Sequence, residues 1–130
     1  MSKEAKNIRI LIVDDQKAMR MLIRSTLAAL GCVHIVECGD GREAIAYLAN
    51  HQVDLIISDL TMPNTDGFGL LRAVRAQEST AKTPFVMLTS HSDLSMVKDA
   101  VALGVNNYIL KPFNIATVRS KIEALLGPLA

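Results

Sequence analysis

Apolar runs alternate with segments of helical periodicity along the whole chain. The runs span residues 8–13, 33–38, 53–59, 85–88 and 107–110 and are rich in β-branched and aliphatic side chains. Leu55, Ile56 and Ile57 follow one another without polar alternation, as expected of a strand that is covered on both faces. The pattern predicts five β-strands.

A helix is predicted after each strand. The first places its apolar residues on one face and Arg20 and Arg24 on the other, and Gly31 closes it where a left-handed residue is favoured. The second is expected at residues 42–50 and has three inward residues: Ala44, Ile45 and Leu48.

The remaining helices have recognisable starts. The third begins at residues 65–67, the fourth at Asp93 and the fifth at Asn114, since Asp and Asn are good N-caps. Four apolar residues give the fourth helix its period: Met96, Val97, Ala100 and Val101. Strict alternation of strands and helices predicts an α/β fold, in which a five-stranded parallel sheet carries helices on both faces through right-handed crossovers.

No linker, repeat or low-complexity segment divides the chain. Residues 1–130 are therefore expected to form one domain, with its core at about residues 8–126 and no output domain. A net charge of +1, 4% aromatic residues and the absence of Trp disfavour nucleic acid or an anionic membrane as a partner. We find neither a signal peptide nor an apolar run that could span a bilayer, and we expect a cytoplasmic protein.

Cysteine and histidine do not suggest a metal site. Cys32 and Cys38 lack the spacing of a CxxC pair, and we expect buried free thiols. The histidines His34, His51 and His91 are scattered along the chain, which disfavours a shared site.

Polar residues follow four of the five strands. Asp14 and Asp15 follow strand one, Asp59 ends strand three, Thr89 ends strand four and Lys111 follows strand five. Taken singly, each has an ordinary explanation, because Asp caps helices and starts turns and Lys is usually solvated. In a parallel sheet, however, all these ends lie at one edge, where open α/β sheets bind their ligands.

Three carboxylates at one edge would repel each other, and a divalent cation removes that conflict. Oxygen ligands with room for water suit Mg²⁺. A metal beside an ammonium and a hydroxyl forms a cradle for a phosphoryl group, and a carboxylate such as Asp59 can attack phosphorus as the nucleophile.

The chain resembles the receiver domain of two-component response regulators, and within that family the stand-alone chemotaxis (CheY-like) type. Four motifs carry the resemblance, and they are specific only as a set: residues 11–15 (LIVDD), 59–67 (DLTMPNTDG), 88–90 (LTS) and 108–113 (YILKPF). The flavodoxin-like strand order 2-1-3-4-5, for which CheY is a known example, is adopted from the family rather than derived.

The resemblance assigns a role to each strand-end residue. Asp59 would accept a phosphoryl group, and Lys111 would pair with its oxygens. Asp15 would bind magnesium directly, Asp14 mainly through a metal-bound water, and Thr61 through its backbone carbonyl.

Further residues would respond to phosphorylation. Thr89 would be the switch hydroxyl and Tyr108 the aromatic ring that turns inward with it, although Tyr108 could also be an ordinary, partly buried strand residue. The Lys111–Pro112 bond is expected to be cis. Thr61 and His91 would tune the lifetime of the phosphoryl group, unless His91 is an exposed histidine without a role.

The resemblance implies a switch rather than an enzyme. A sensor histidine kinase would phosphorylate Asp59, and the face formed by helix four, strand five and helix five would bind a separate effector such as the flagellar motor switch. We expect a monomer. The alternative is a phosphorelay, in which the chain passes phosphoryl groups to a histidine phosphotransfer protein or drains them from it.

Two other classes fit the sequence less well. Resemblance to aspartate-dependent phosphatases of the haloacid dehalogenase kind requires a second Asp where this chain has Thr61. A flavodoxin needs a phosphate-binding loop after strand one, and Asp14 and Asp15 would repel a phosphate there.

Overall fold

The computed structural model describes residues 4–60, 62, 66–90 and 96–129. It shows one parallel sheet of five strands in the order β2-β1-β3-β4-β5, so both the predicted fold class and the adopted strand order are confirmed. The strands are β1 (Arg9–Val13), β2 (His34–Cys38), β3 (Leu55–Asp59), β4 (Phe85–Thr89) and β5 (Asn107–Leu110). The helices are α1 (Lys17–Ala29), α2 (Gly41–Leu48), α3 (Gly67–Ala76), α4 (Val97–Ala102) and α5 (Ile115–Leu126), and a short 3₁₀ turn (Ala5–Asn7) precedes β1.

Side-chain caps begin three of these helices. The Asn114 carboxamide accepts from the Thr117 N–H at 2.8 Å, as the predicted cap of the fifth helix requires. Asp66 caps α3 and Asp40 caps α2 in the same way. Gly31 has a φ of +96° after α1, which confirms the predicted left-handed closure. The cap predicted at Asp93 lies outside the described residues.

The core forms two layers, one on each face of the sheet. Successive residues of the central strands point to opposite faces, so Ile10 and Ile12 pack under α1 and α5, and Leu11 and Val13 pack under α2 and α3. β3 and β4 are buried along their full length. The continuous apolar runs of the sequence therefore correspond to strands covered on both sides.

Ile45, which was assigned to an inward position of the second helix, is partly exposed, and so is Val101, one of the residues that give the fourth helix its period. Ile45 of α2 is 38% exposed because it lies at the rim of a shallow groove between α2 and α3 rather than beneath it. Val101 of α4 is 61% exposed, and Ala100 occupies the buried position of that helix. No helix in the described ranges combines the length and the apolar character needed to cross a membrane.

Arg75 of α3 ties together the loops at the amino-terminal edge of the sheet. Its guanidinium donates to the Gly104 carbonyl at 2.9 and 3.0 Å, to the Thr83 carbonyl at 2.7 Å and to the Asn106 carboxamide oxygen at 2.9 Å. That oxygen also accepts from the Phe85 N–H, at the start of β4. Burial lowers the pKa of the guanidinium. The segment after α4 is thus fastened to α3 and β4.

Replacing Arg75 should loosen this edge. In Arg75→Met, the carbonyls of two loops lose a charged donor, so we expect the free energy of unfolding to fall by about 2–3 kcal/mol. The measurement is urea unfolding followed by circular dichroism. Arg72→Met is the matched control, because Arg72 is an exposed arginine of the same helix. A loss no larger than that of the control would contradict this role for Arg75.

Candidate functional site

The strand register brings the predicted site residues to one edge of the sheet. Val13 pairs with Ser58, so the residues that follow, Asp14 and Asp59, are neighbours at the carboxyl ends of β1 and β3. Thr89 ends β4 and pairs with Leu110 of β5. Lys111 follows directly, and its N–H donates to the Thr89 carbonyl at 2.7 Å.

Three carboxylates converge at this edge. Asp14, Asp15 and Asp59 each place a carboxylate oxygen within 4.8 Å of the others. Asp14 is fully buried, Asp59 is 8% exposed and Asp15 faces solvent. The cluster therefore has two buried members and one open side.

One oxygen of Asp14 is orphaned. Its Oδ1 accepts from the Gln16 N–H at 2.8 Å, but the buried Oδ2 has no hydrogen-bond partner in the described part of the chain. The Lys111 ammonium lies 3.9 Å from Oδ2, beyond hydrogen-bond distance. A buried carboxylate oxygen without a donor is costly, and a metal-bound water would supply the missing donor. An all-oxygen donor set of this kind fits Mg²⁺.

Burial raises the pKa of Asp14, and the neighbouring carboxylates of Asp59 and Asp15 raise it further. The Gln16 N–H and the Lys111 ammonium act in the opposite direction without reversing the shift. Without a cation, ionised Asp14 is therefore less favourable in the folded protein than it would be in water.

Lys111 holds the carboxylate of Asp59. Its ammonium donates to Asp59 Oδ1 at 3.0 Å, and the Leu60 N–H donates to the same oxygen at 2.9 Å. The Lys111–Pro112 peptide bond is cis, as the resemblance implied. Two donors thus fix the orientation of Asp59 beside the orphaned oxygen of Asp14.

Gly67 lets α3 start directly against the strand that carries Asp59. A Cβ at this position would lie 2.5 Å from the Asp59 carbonyl oxygen and 2.9 Å from Leu60 Cα. The Gly67 N–H instead donates to the Leu60 carbonyl at 3.0 Å. A residue without a side chain is therefore required at the first position of α3.

The other predicted site residues are placed in part. The Thr89 hydroxyl is buried at the end of β4, and its described hydrogen bond goes to the Ser90 carbonyl at 3.3 Å. Tyr108 is half-buried on β5, with the Lys121 ammonium 5.2 Å from its ring centroid. The predictions for Thr61 and His91 lie outside the described residues.

Sequence reasoning missed that Arg20 contacts the site. Arg20 and Arg24 were assigned to the polar face of the first helix, yet both form ion pairs with Glu37 of β2. Arg20 also donates to the Asp14 carbonyl at 2.6 Å. The available signal was a helical i, i+4 pair of arginines together with a carboxylate inside an apolar strand run.

The fold and the site define an α/β protein with an acidic cluster and a lysine at the carboxyl edge of a parallel sheet. Residues 10–123 match the family described as the response regulator receiver domain. The chain belongs to this family.

Individual relatives are similar over nearly the whole chain. A probable chemotaxis protein CheY of Rhizobium etli is 41% identical over 125 residues, which cover 96% of this chain and 97% of that protein. The structure of the chemotaxis response regulator CheY4 of Vibrio cholerae superposes with a TM-score of 0.84 at 34% identity, covering 92% of this chain and 98% of that one.

A third relative was solved with a metal. The receiver domain of a sensor histidine kinase of Pseudomonas aeruginosa superposes with a TM-score of 0.84 at 28% identity, covering 92% of this chain and 98% of that one. That structure has a magnesium ion coordinated in its active-site cleft.

The unfavourable burial of the Asp14 carboxylate predicts a stabilising substitution. Because its pKa is raised, ionised Asp14 destabilises the folded state, and Asp14→Asn should raise the free energy of unfolding at neutral pH without divalent metal. The stability that protonated Asp14 contributes is lost as pH rises through the raised pKa. The difference in free energy of unfolding between Asp14→Asn and the wild type should therefore disappear in acid.

The measurement is urea unfolding in the presence of a chelator across a range of pH. Asp99→Asn, at an exposed position of α4, should change stability little at any pH. An Asp14→Asn protein less stable than the wild type at neutral pH would show that the ionised carboxylate is favourable in the fold.

Proposed function

We propose that the chain is a phosphorylation-controlled signalling switch that accepts a phosphoryl group from a sensor histidine kinase on Asp59. The observation that carries this proposal is the geometry of one carboxylate. Asp59 is fixed by Lys111 beside the orphaned oxygen of Asp14, in a chain that belongs to the receiver-domain family. Attack by its carboxylate oxygen on phosphorus would form an aspartyl phosphate, and the phosphohistidine of the kinase would leave as histidine.

The acidic cluster supports a magnesium site next to this nucleophile. Asp14, Asp15, Asp59 and the backbone carbonyl of Thr61 would hold the ion, in keeping with the carboxylates that lie within 4.8 Å of each other. Bound Mg²⁺ neutralises negative charge on the phosphoryl oxygens. Lys111 would hold one of these oxygens once the phosphoryl group replaces its present bond to Asp59.

Phosphorylation would be read out through Thr89. Its hydroxyl, now bonded to the Ser90 carbonyl, would donate to the phosphoryl group instead, and Tyr108 would turn into the space vacated beside it. Tyr108 is only partly buried, although it packs against the core. The α4-β5-α5 face would then have two populations, which phosphorylation shifts. Thr61 and His91 remain our candidates for tuning the lifetime of the phosphoryl group.

The output is expected in a separate protein. Similarity extends over 97% of a probable chemotaxis protein CheY, and this supports a role in chemotaxis, with the flagellar motor switch as effector. We propose that residues 1–130 act as a single receiver unit, as a monomer in the cytoplasm, and that the chain is a switch rather than an enzyme with a separate substrate. Among the described residues of the site, no feature favours the phosphorelay alternative, in which the partner is a histidine phosphotransfer protein.

The nucleophile can be tested with acetyl phosphate. In Asp59→Asn, the attacking carboxylate oxygen is lost, so we expect incorporation of labelled phosphate to fall at least a hundredfold, to background. The readout is intact-protein mass, with the modified residue mapped by peptide analysis. Asp66→Asn, which keeps its role as the cap of α3, is the control and should be labelled normally. Label that persists at another residue in Asp59→Asn would refute the assignment.

The readout can be tested by partner binding with and without beryllium fluoride, an acyl-phosphate mimic, in the presence of Mg²⁺. We expect the mimic to tighten binding of a flagellar motor switch protein about tenfold, a coupling of about 1.4 kcal/mol. Thr89→Ala should remove this response, and Thr89→Ser, which keeps the hydroxyl, should retain it. Binding that ignores the mimic in the wild type would reject the switch, and mimic-dependent binding of a histidine phosphotransfer protein alone would favour the phosphorelay.

A further inference from the structure

Arg20 connects the acidic cluster to the neighbouring edge strand. Its Nη1 donates to the Asp14 carbonyl oxygen at 2.6 Å, and its Nε donates to Glu37 Oε1 on β2 at 3.2 Å. The side chains of Arg20 and Glu37 are 18% and 25% exposed, so this ion pair is largely shielded from water. One planar guanidinium therefore fastens the backbone at Asp14 to a fixed point on β2.

This contact completes the anchoring of the turn that carries two carboxylates. The Asp14 N–H donates to the Cys38 carbonyl at 3.1 Å, and the Asp14 carboxylate accepts from the Gln16 N–H at 2.8 Å. Arg20 holds the remaining backbone group of Asp14, its carbonyl. That carbonyl lies in the planar peptide that joins Asp14 to Asp15. The orientation of this peptide therefore sets the position of the Asp15 backbone, from which the solvent-facing carboxylate extends.

We propose that Arg20 is a positioning residue for the metal site, which sets the Asp14–Asp15 peptide in the orientation that a small, octahedral cation requires. The inference rests on the magnesium site proposed above and deepens it. Magnesium binds oxygen at short, nearly ideal octahedral distances, whereas calcium tolerates longer and irregular ones. Loosening the peptide should therefore weaken magnesium binding more than calcium binding.

Arg24 provides a matched control in the same helix. It donates to the other carboxylate oxygen of Glu37 at 2.6 Å and to the Ile35 carbonyl at 2.8 Å. Arg20 and Arg24 therefore share the carboxylate of Glu37. Both of these bonds go to β2 and neither goes to the turn at Asp14. Arg24→Met removes the same charge from the same ion-pair network, and it leaves the bond from Arg20 to Asp14 in place.

Charge and position predict opposite results. Removing a cation near the cluster should, by charge alone, tighten the binding of any divalent metal, because repulsion is reduced. Both metals carry the same charge, so the ratio of their dissociation constants cancels this contribution. A fall in preference for magnesium consequently reports geometry.

The experiment is titration of the full chain with Mg²⁺ and with Ca²⁺ by isothermal calorimetry, without phosphodonor. In Arg20→Met, we expect the Kd for Mg²⁺ to rise about tenfold, at the lower end of the effect of losing an outer-shell partner, and the Kd for Ca²⁺ about twofold. The preference for magnesium then falls about fivefold. In Arg24→Met, the preference should stay within about 1.5-fold of wild type.

Arg20→Lys is the second variant and is decisive if Arg20→Met does not fold. A single ammonium cannot reproduce the two separate donors that contact Asp14 and Glu37, so the preference for magnesium should again fall at least about twofold. An unchanged preference in a folded Arg20 variant, or an equal fall in Arg24→Met, overturns the inference. A wild type that binds neither metal refutes the proposed magnesium site itself, and the role of Arg20 with it.

Discussion

The burial of Asp14 beside a second carboxylate is the constraint on which the site depends. The register of β1 and β3 makes Asp14 and Asp59 neighbours, and the surrounding protein removes water from Asp14 entirely. Two negative charges in this position repel each other. A backbone N–H and a lysine 3.9 Å away compensate in part, and one oxygen has no donor among the described residues. The incomplete compensation leaves an acidic cluster that an added cation would stabilise.

Lys111 links the two carboxylates to the neighbouring strands. The Lys111 ammonium is shared between the two carboxylates, 3.0 Å from Asp59 and 3.9 Å from Asp14. A group that binds at Asp59 would therefore change the electrostatic interaction between Lys111 and Asp14. The backbone of Lys111 is bonded to Thr89, which connects the cluster to the ends of β4 and β5. Direct contacts therefore lead from one strand end to two neighbouring strands, a route by which a change in charge at Asp59 would act on them.

Features that depend on local sequence were predictable, and features that depend on spatial neighbours were less so. Strand periodicity, the cap at Asn114 and the polar strand ends are encoded within a few residues. The pairing of Arg20 and Arg24 with Glu37 requires knowing that β2 lies next to β1 under the first helix, which no local pattern specifies. Ile45 was assigned inward because it is apolar, but the gap between α2 and α3 leaves its side of the helix partly uncovered.

Two arginines hold opposite edges of the sheet through backbone carbonyls. Arg75 bonds the Gly104 and Thr83 carbonyls at the amino-terminal edge, where it fixes the end of α4. Arg20 bonds the Asp14 carbonyl at the carboxyl edge. A guanidinium can donate to several acceptors at once in fixed directions, so each arginine restrains the backbone segment whose carbonyl it binds. Because α4 is anchored at its carboxyl end by Arg75, a shift that begins at Thr89 would be confined to the amino-terminal side of α4 and the face it shares with β5.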